Sequence, residues 1–138
     1  MRYICLVYQN EETVAAIPEA EKATIIRELL DYRELLRERG HYIVSSPLQP
    51  ASTAATIRVR GSKMAIRDGP FAETKEQLAG FYVIEASDLN EAIRIASRMP
   101  PARLGCIEIR ALKEIGHPCD SYDQATSNET RVGGKKVP

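Results

Sequence analysis

The sequence predicts an α+β protein with a ferredoxin-like βαββαβ plan and one added hairpin. The chain has 138 residues, which is the usual size of a single domain. Its apolar periodicity changes between the spacing of strands and that of helices in the order β-α-β-hairpin-β-α-β. From this order we expect two helices to cover one face of a mostly antiparallel sheet.

The first strand and the helix after it have the clearest patterns. Residues 2–9 are apolar on both faces, which is typical of a central strand. Pro18 suits a first helical position, and Gly40 suits the end of a helix. Between them an apolar stripe recurs at helical spacing, which predicts a helix of about five turns. The stripe consists of Ile25, Leu29, Tyr32 and Leu36.

Further strands are expected in the middle of the chain. Residues 41–48 have the pattern of a short strand, and residues 80–86 that of a central strand that is apolar on both faces. Residues 56–60 and 63–67 alternate in polarity on either side of a Gly-Ser pair, which predicts a β-hairpin.

The last helix and the last strand follow from a capping pattern and from alternation. Asp88 and Glu91 have the spacing of a capping box at a helix start. Pro100 and Pro101 are expected to end this helix. Residues 105–112 alternate between apolar and charged side chains, which predicts the final strand.

Residues 113–138 differ in composition from residues 1–112, which we assign to the folded domain. They form a polar C-terminal extension with too few apolar residues to build a core of their own. Two interpretations stay open for this segment: a flexible tail, or an arm that wraps around a partner subunit.

Composition and cysteine spacing exclude several kinds of partner and site. Lys plus Arg and Asp plus Glu both number 19, so the chain has no net field to attract nucleic acid or an anionic membrane. No apolar stretch approaches the roughly 18 residues of a membrane span. Cys5, Cys106 and Cys119 are widely spaced, which disfavours a metal site and a disulfide. We expect a cytoplasmic protein without a metal or another cofactor.

The two central strands also predict self-association. Both carry apolar residues on the face that two helices cannot cover. A second copy of the same sheet is the simplest cover for that face. We therefore expect a homodimer in which two sheets pack face to face.

The most distinctive stretch of the sequence is residues 67–82. It contains Asp68-Gly69-Pro70-Phe71, followed by the polar run at 73–77 and then by a predicted strand. With residues 49–54 upstream and residues 102–105 downstream, this stretch resembles the DGPF subgroup of the YCII-related proteins.

The resemblance covers about residues 1–112 and implies a subunit that dimerises as an α+β barrel. Family members are mostly bacterial, have no settled function, and are often encoded beside extracytoplasmic-function sigma factors. Related proteins have been proposed as enzymes because a His on the long helix faces an Asp in a cleft. Residues 19–39 contain no His here, and the helix carries Asp31-Tyr32-Arg33 instead. The resemblance therefore does not carry an imidazole mechanism over to this chain.

The distinctive stretch supplies the first candidate site residues. A loop that is held at both ends and polar between them suits the rim of a pocket. Asp68 is the candidate general base, Lys75 can hold an anionic or carbonyl group, and Glu73 can pair with Lys75. Phe71 is expected to anchor the loop in the core. The alternative is that Asp68 and Thr74 only satisfy backbone groups of a structured turn.

Residues outside this stretch are further candidates for substrate binding. Arg58 and Arg103 can each hold a carboxylate through two hydrogen bonds, and Tyr8 and Tyr32 can line a cleft between the first strand and the long helix. The competing interpretation is a solvated surface position for the arginines and core packing for the tyrosines. His41 suits a structural role at the helix end.

Two hypotheses about function follow from these residues. The first is a dimer that binds a small molecule, with cofactor-independent enzyme activity as an open question. The second is a non-catalytic module that binds a protein partner linked to sigma-factor regulation. The missing helix His favours binding alone, whereas an acidic, lysine-bearing loop beside a cleft favours chemistry.

Overall fold

The computed structural model of the chain describes residues 1–114 and has an α+β fold. Within these residues the chain forms six strands and four helices. They are β1 (Arg2–Gln9), α1 (Glu11–Ala15), α2 (Glu19–Glu38), β2 (Tyr42–Pro47), β3 (Ala55–Arg60), β4 (Lys63–Asp68), β5 (Gln77–Glu85), α3 (Leu89–Ser97), α4 (Pro101–Leu104) and β6 (Gly105–Ala111). A 3₁₀ turn at Ala51–Thr53 lies between β2 and β3. The prediction of an α+β fold with an antiparallel sheet is confirmed.

Four of the strands form one antiparallel sheet in the order β2-β5-β1-β6. Its two central strands, β1 and β5, are those whose sequences are apolar on both faces. Cys5 of β1 lies opposite Tyr82 of β5 on one side and opposite Ile109 of β6 on the other. Because each central strand has a neighbour on both sides, its backbone groups are paired along both edges.

The remaining strands, β3 and β4, form a separate two-stranded hairpin. Ile57 lies opposite Ile66, and Val59 lies opposite Met64, and all four side chains are exposed. Gly61 adopts a φ of 61° in the connecting turn, a left-handed conformation that favours glycine. The hairpin that the Gly-Ser pair predicts is therefore present.

Both longer helices pack against the same face of the sheet. The Tyr32 hydroxyl in α2 donates a hydrogen bond to the Ile95 carbonyl oxygen in α3 at 2.8 Å, which joins the two helices. Between these helices and the sheet lies one hydrophobic core, which accounts for the apolar stripe of α2. Its buried members are Tyr3, Cys5, Val7, Leu36, Tyr82, Ile84, Ala86, Ala92, Ile95, Ala96 and Met99.

The opposite face of the sheet carries a second row of apolar side chains. These alternate with the core residues of β1 and β5, as the period of two in a strand requires. At the edge strand β6, this face ends in an ion pair between Arg110 Nε and Glu108 Oε2 at 3.1 Å. The half-buried apolar residues of this face are Ile4, Leu6, Tyr8 and Phe81.

Capping residues explain the helix bounds. The Asp88 carboxylate accepts a hydrogen bond from the Glu91 backbone N–H at 2.8 Å, and Glu91 Oε2 accepts one from the Ser87 N–H at 2.6 Å. The expected capping interaction is thus present at α3. At α2, Pro18 occupies the N-cap rather than the first helical position, and Gly40 follows the C-cap with a φ of 76°.

Two short helices and one strand bound differ from expectation. The Asn10 side chain accepts a hydrogen bond from the Thr13 N–H at 2.9 Å and starts α1. Pro101 is expected to end α3, but it is the first residue of α4. At that position its missing N–H costs no hydrogen bond. Strand β5 begins at Gln77 rather than at residue 80, because residues 77 and 78 continue the pairing with β1.

The prediction that Phe71 anchors its loop in the core is wrong. The Phe71 side chain is 71% exposed, and the Arg58 guanidinium carbon lies 5.2 Å from its ring centroid. The ring therefore stacks beside the hairpin through a cation–π contact.

The predictions about the C-terminal extension fall almost wholly on residues outside the described part of the chain. Within the described part, no helix is long and apolar enough to cross a membrane. The expected cytoplasmic location stays a prediction.

Candidate functional site

A cavity of about 480 Å³ lies between α2 and the sheet. This volume is within the usual range for a pocket that takes a small molecule. Four secondary-structure elements and the first residue of α4 enclose it. The lining residues are Val7 and Gln9 of β1; Ile26, Leu29, Leu30 and Arg33 of α2; Ser45, Ser46 and Pro47 of β2; Ala79, Gly80, Phe81 and Tyr82 of β5; and Pro101.

An irregularity in the sheet shapes the floor of this cavity. Val7 pairs with Gly80 and Tyr8 pairs with Leu78, so Ala79 is an extra residue on β5. Such a β-bulge bends a strand and redirects its side chains. The Ala79 carbonyl oxygen accepts a hydrogen bond from the Leu48 N–H at 2.8 Å, just beyond the end of β2. The bulge therefore lies where β1, β2 and β5 all border the cavity.

Gly80 allows β2 and β5 to approach closely beside the bulge. A Cβ at this position would lie 2.9 Å from the Ser46 carbonyl oxygen and 3.3 Å from the Pro47 Cα. Both of those atoms belong to backbone, which cannot rotate away as a side chain can. A larger residue would push β2 outward, so the glycine holds the cavity wall in place.

The cavity wall is mostly apolar and carries one charge. Among the described residues that line it, Arg33 is the one with a charged side chain. Its Nε is buried and has no hydrogen-bond partner within residues 1–114. The nearest carboxylate oxygen is Glu34 Oε1, at 3.9 Å from that nitrogen, and the same oxygen is in close contact with Arg37. Arg33 therefore brings an incompletely paired cation to an apolar cavity.

Neutral polar groups complete the lining. Burial raises the pKa of Tyr82, the Tyr42 hydroxyl raises it further, and the charge of Arg33 opposes them. The Tyr82 hydroxyl is therefore protonated at neutral pH and can donate a hydrogen bond. Ser45 Oγ lies 3.1 Å from the Tyr42 hydroxyl oxygen. The arrangement offers donors and a cation, which suits an acceptor or an anion.

The distinctive loop lies apart from this cavity. Asp68, Glu73 and Lys75 are all exposed, and none of them lines the cavity. Glu73 faces Arg67 with 3.8 Å between Oε1 and the guanidinium nitrogen, rather than pairing with Lys75. The Lys75 carbonyl oxygen accepts a hydrogen bond from the Asn10 side chain at 3.0 Å. The structure thus brings none of these three side chains to Arg33.

The other four candidates lie in four different surroundings. Arg58 stacks on the Phe71 ring at the hairpin. Arg103 forms a surface ion pair with Glu28 at 2.6 Å. Tyr32 lies between α2 and α3, where burial raises its pKa, and Tyr8 lies on the face of the sheet away from the helices. None of the four residues lines the cavity.

His41 has the structural surroundings that its position suggests. Its backbone N–H donates to the Leu36 carbonyl oxygen at 2.8 Å, which closes the end of α2. Its Nδ1 lies 2.9 Å from the Glu85 carbonyl oxygen of β5. The ring therefore links the helix end to the sheet.

Arg33 is not among the site residues predicted from the sequence, although the sequence contains a signal for it. Ile26, Leu29, Leu30 and Arg33 follow the spacing i, i+3, i+4 and i+7 on α2. An arginine thus continues an apolar helical stripe, next to the stripe that packs in the core. A cation within such a stripe indicates either a snorkelling side chain or a ligand contact.

The chain is similar to one protein family and to two individual proteins. The YCII-related domain family matches residues 1–116 of the chain. An uncharacterized protein of Rhizobium meliloti (strain 1021) is 36% identical over 114 residues, which are 81% of this chain and 92% of that protein. A solved structure with 15% identity and a TM-score of 0.49 covers 83% of this chain and 95% of its own. It is 5-chloro-2-hydroxyhydroquinone dehydrochlorinase from Burkholderia phenoliruptrix AC1100, in complex with 2,5-dihydroxybenzoquinone.

Proposed function

The chain belongs to the YCII-related domain family, and from this premise we propose that it is a small-molecule-binding protein of the DGPF subgroup. Its ligand site is the cavity between α2 and the sheet. The observation that carries the proposal is a 480 Å³ apolar cavity with one incompletely paired cation in its wall. A concave, mostly apolar site with few polar groups is the usual form of a small-molecule site.

The exposure of the helix residues at the cavity supports the same proposal. Ile26 and Leu30 are exposed for 56% and 46% of their surface although they belong to the apolar face of α2. A ligand with an apolar body would cover both side chains. Burying this apolar area would contribute about 25 cal/mol per Å² to binding.

The proposal includes cofactor-independent catalysis, for which Asp68 is the candidate catalytic residue. The cavity itself offers a cation and hydroxyl donors, and these orient a substrate or stabilise negative charge. Asp68 is the candidate proton acceptor of the chain, and it is exposed at the end of β4. Catalysis by Asp68 requires the loop at 69–76 to bring a substrate from the cavity to the hairpin, or to move when a substrate binds.

We also propose that the subunit, with its ferredoxin-like strand order, forms a homodimer through its sheet. The helices pack on one face, and the other face carries the half-buried apolar row of Ile4, Leu6, Tyr8 and Phe81. A charged pair, Glu108 with Arg110, lies at the edge of that row. An apolar centre with a polar rim is the usual composition of a stable protein interface.

A metabolite-library thermal-shift screen tests the ligand site. We expect a class of small molecules to raise the melting temperature of the wild-type protein and of Asp68→Asn. Leu30→Trp, which fills the cavity, should lose that shift. Ile93→Trp is the matched control because Ile93 of α3 is 47% exposed and lies away from the cavity.

Two results of this screen would overturn the proposal. A wild-type protein that no compound stabilises would argue for a protein-binding module. Equal shifts for wild type and Leu30→Trp would place the ligand elsewhere. Turnover of a stabilising compound by wild type but not by Asp68→Asn would add catalysis to binding.

A further inference from the structure

The residues that line the proposed ligand site indicate the charge of its ligand. Arg33 contributes the one formal charge among the described residues that line it, and no described carboxylate lies in the wall. Among the described residues, no carboxylate oxygen lies within hydrogen-bond distance of its guanidinium. An anionic ligand in the cavity can supply the carboxylate that Arg33 lacks.

The partners of Arg33 on its own helix leave part of its guanidinium unused. The 3.9 Å separation between Arg33 Nε and Glu34 Oε1 is longer than a hydrogen bond. Glu34 Oε1 is engaged at close range by Arg37, which lies one helical turn further along. The Nε is nevertheless buried and lacks a hydrogen-bond partner in the described part of the chain. The contacts of Arg33 within the described residues therefore leave hydrogen-bond donors of its guanidinium unused.

The side chain of Arg33 lies between the cavity and the solvent. It is 36% exposed as a whole, although its Nε is not accessible. The guanidinium is a planar fork that matches the two oxygens of a carboxylate. An acid entering the cavity can therefore place its carboxylate on this fork at the mouth and its apolar body against Leu29 and Val7.

We propose that the cavity selects a compact apolar monocarboxylate, whose carboxylate binds Arg33 and whose hydrocarbon or aromatic body fills the apolar wall. This inference rests on the cavity being the ligand site. One cation matches one negative charge, so dicarboxylates and phosphate esters leave a charge uncompensated in an apolar site. The donors of Tyr82 and Ser45 bind a polar substituent on the body of the acid without adding charge.

Paired acids and amides test the inference. Cinnamate, naphthoate and octanoate are titrated against the purified full chain, each beside its neutral primary amide, with calorimetry as the readout. We expect each acid to bind wild type more tightly than its amide. In Arg33→Gln the acids should weaken by about 10- to 100-fold, the effect of losing a charged hydrogen bond, while the amides keep their affinity.

Two further variants control for fold and for general electrostatics. Arg33→Lys keeps the charge but not the fork, so its acid affinity should fall between that of wild type and that of Arg33→Gln. Arg27→Gln removes an exposed cation from the same helix outside the cavity, and it should leave the preference for acids intact. Circular dichroism and melting temperature establish that each variant is folded.

The outcomes separate this inference from the proposed function. Amides that bind as tightly as their acids, in a manner that Leu30→Trp abolishes, overturn the inference and leave the ligand site standing. An acid preference that survives in Arg33→Gln also overturns it. If neither acids nor amides bind, and the metabolite screen finds no ligand, the proposed function fails and the inference fails with it.

Discussion

Gly80 of β5 and Ser46 of β2 approach each other so closely that a Cβ on the glycine would lie 2.9 Å from the serine carbonyl oxygen. This contact holds the edge strand against the central strand beside the cavity. Gly80→Ala should therefore destabilise the fold by about 1–3 kcal/mol, the usual cost of overpacking. Urea unfolding at fixed protein concentration measures this loss.

Gly40→Ala is the instructive comparison for that variant. Gly40 has a φ of 76° and no atom within 4 Å of its missing Cβ, so its cost of roughly 1–2 kcal/mol arises from backbone conformation alone. Gly80→Ala should shift the amide resonances of Ser45 and Ser46, at the end of β2 far from Gly40, and Gly40→Ala should not. A Gly80→Ala protein with unchanged stability and unchanged β2 resonances would contradict the close approach.

The hydroxyl of Tyr32 joins α2 to α3 and takes no part in the cavity. Tyr32→Phe removes its hydrogen bond to the Ile95 carbonyl oxygen and should lower the free energy of unfolding by about 1 kcal/mol. Ligand affinity should be unchanged because Tyr32 does not line the cavity. A variant with wild-type stability and weakened ligand binding would instead make Tyr32 a binding residue.

Cys106 should react slowly with thiol reagents at neutral pH despite its exposure. Its thiol donates a hydrogen bond to Glu76 Oε2 at 3.1 Å, and this contact raises the pKa of Cys106. Because only the thiolate reacts, Glu76→Gln should lower that pKa and speed alkylation several-fold, as followed by peptide mass spectrometry. Glu108→Gln should have a smaller effect, since Glu108 contributes least to the shift. Equal rates in wild type and Glu76→Gln would contradict the contact.

Cys5 provides an internal reference in the same experiment. It is wholly buried, and burial raises its pKa to about 11. Its alkylation should therefore require unfolding in every variant. The raised pKa also stabilises the folded state below pH 9, the ordinary value for a thiol. That contribution is lost as the pH rises from about 9 to about 11, because the unfolded chain releases the proton first.

The proposed homodimer predicts that one charge on the open sheet face separates the subunits. Leu6 lies opposite Glu108 on β6, so Leu6→Lys places its ammonium beside a carboxylate and the subunit can fold. In a dimer the same lysine would be buried against a second sheet at a cost of several kcal/mol. Multi-angle light scattering should show a dimer for wild type and a monomer for Leu6→Lys. Ile93→Lys, on the outer side of α3, should stay dimeric, and a monomeric wild type would end the proposal.

Much of this fold is predictable because local rules and tertiary structure agree. The period of two in β1 and β5, the stripe in α2 and the pairing of Asp88 with Glu91 each identify an element from neighbouring residues alone. The helix α4 is absent from the predicted elements, and neighbouring residues explain this as well. A proline pair predicts a break, and only the tertiary path decides that Pro101 begins a new helix.

The cavity is not predictable in the same way. Its floor depends on the bulge at Ala79 and on the register between Gly80 and Pro47, and strand register is a relation between distant parts of the chain. The burial of Phe71 is also not predictable from neighbouring residues. An aromatic residue within a distinctive motif suggests an anchor, yet its ring stacks on Arg58 at the hairpin.

The most direct test of the ligand site is a map of amide chemical shifts on adding a compound from the thermal-shift screen. We expect the largest changes at Arg33, Ser46, Ala79 and Gly80, around the cavity. Changes confined to Asp68, Glu73 and Lys75 would contradict this expectation and would make the exposed loop the binding site.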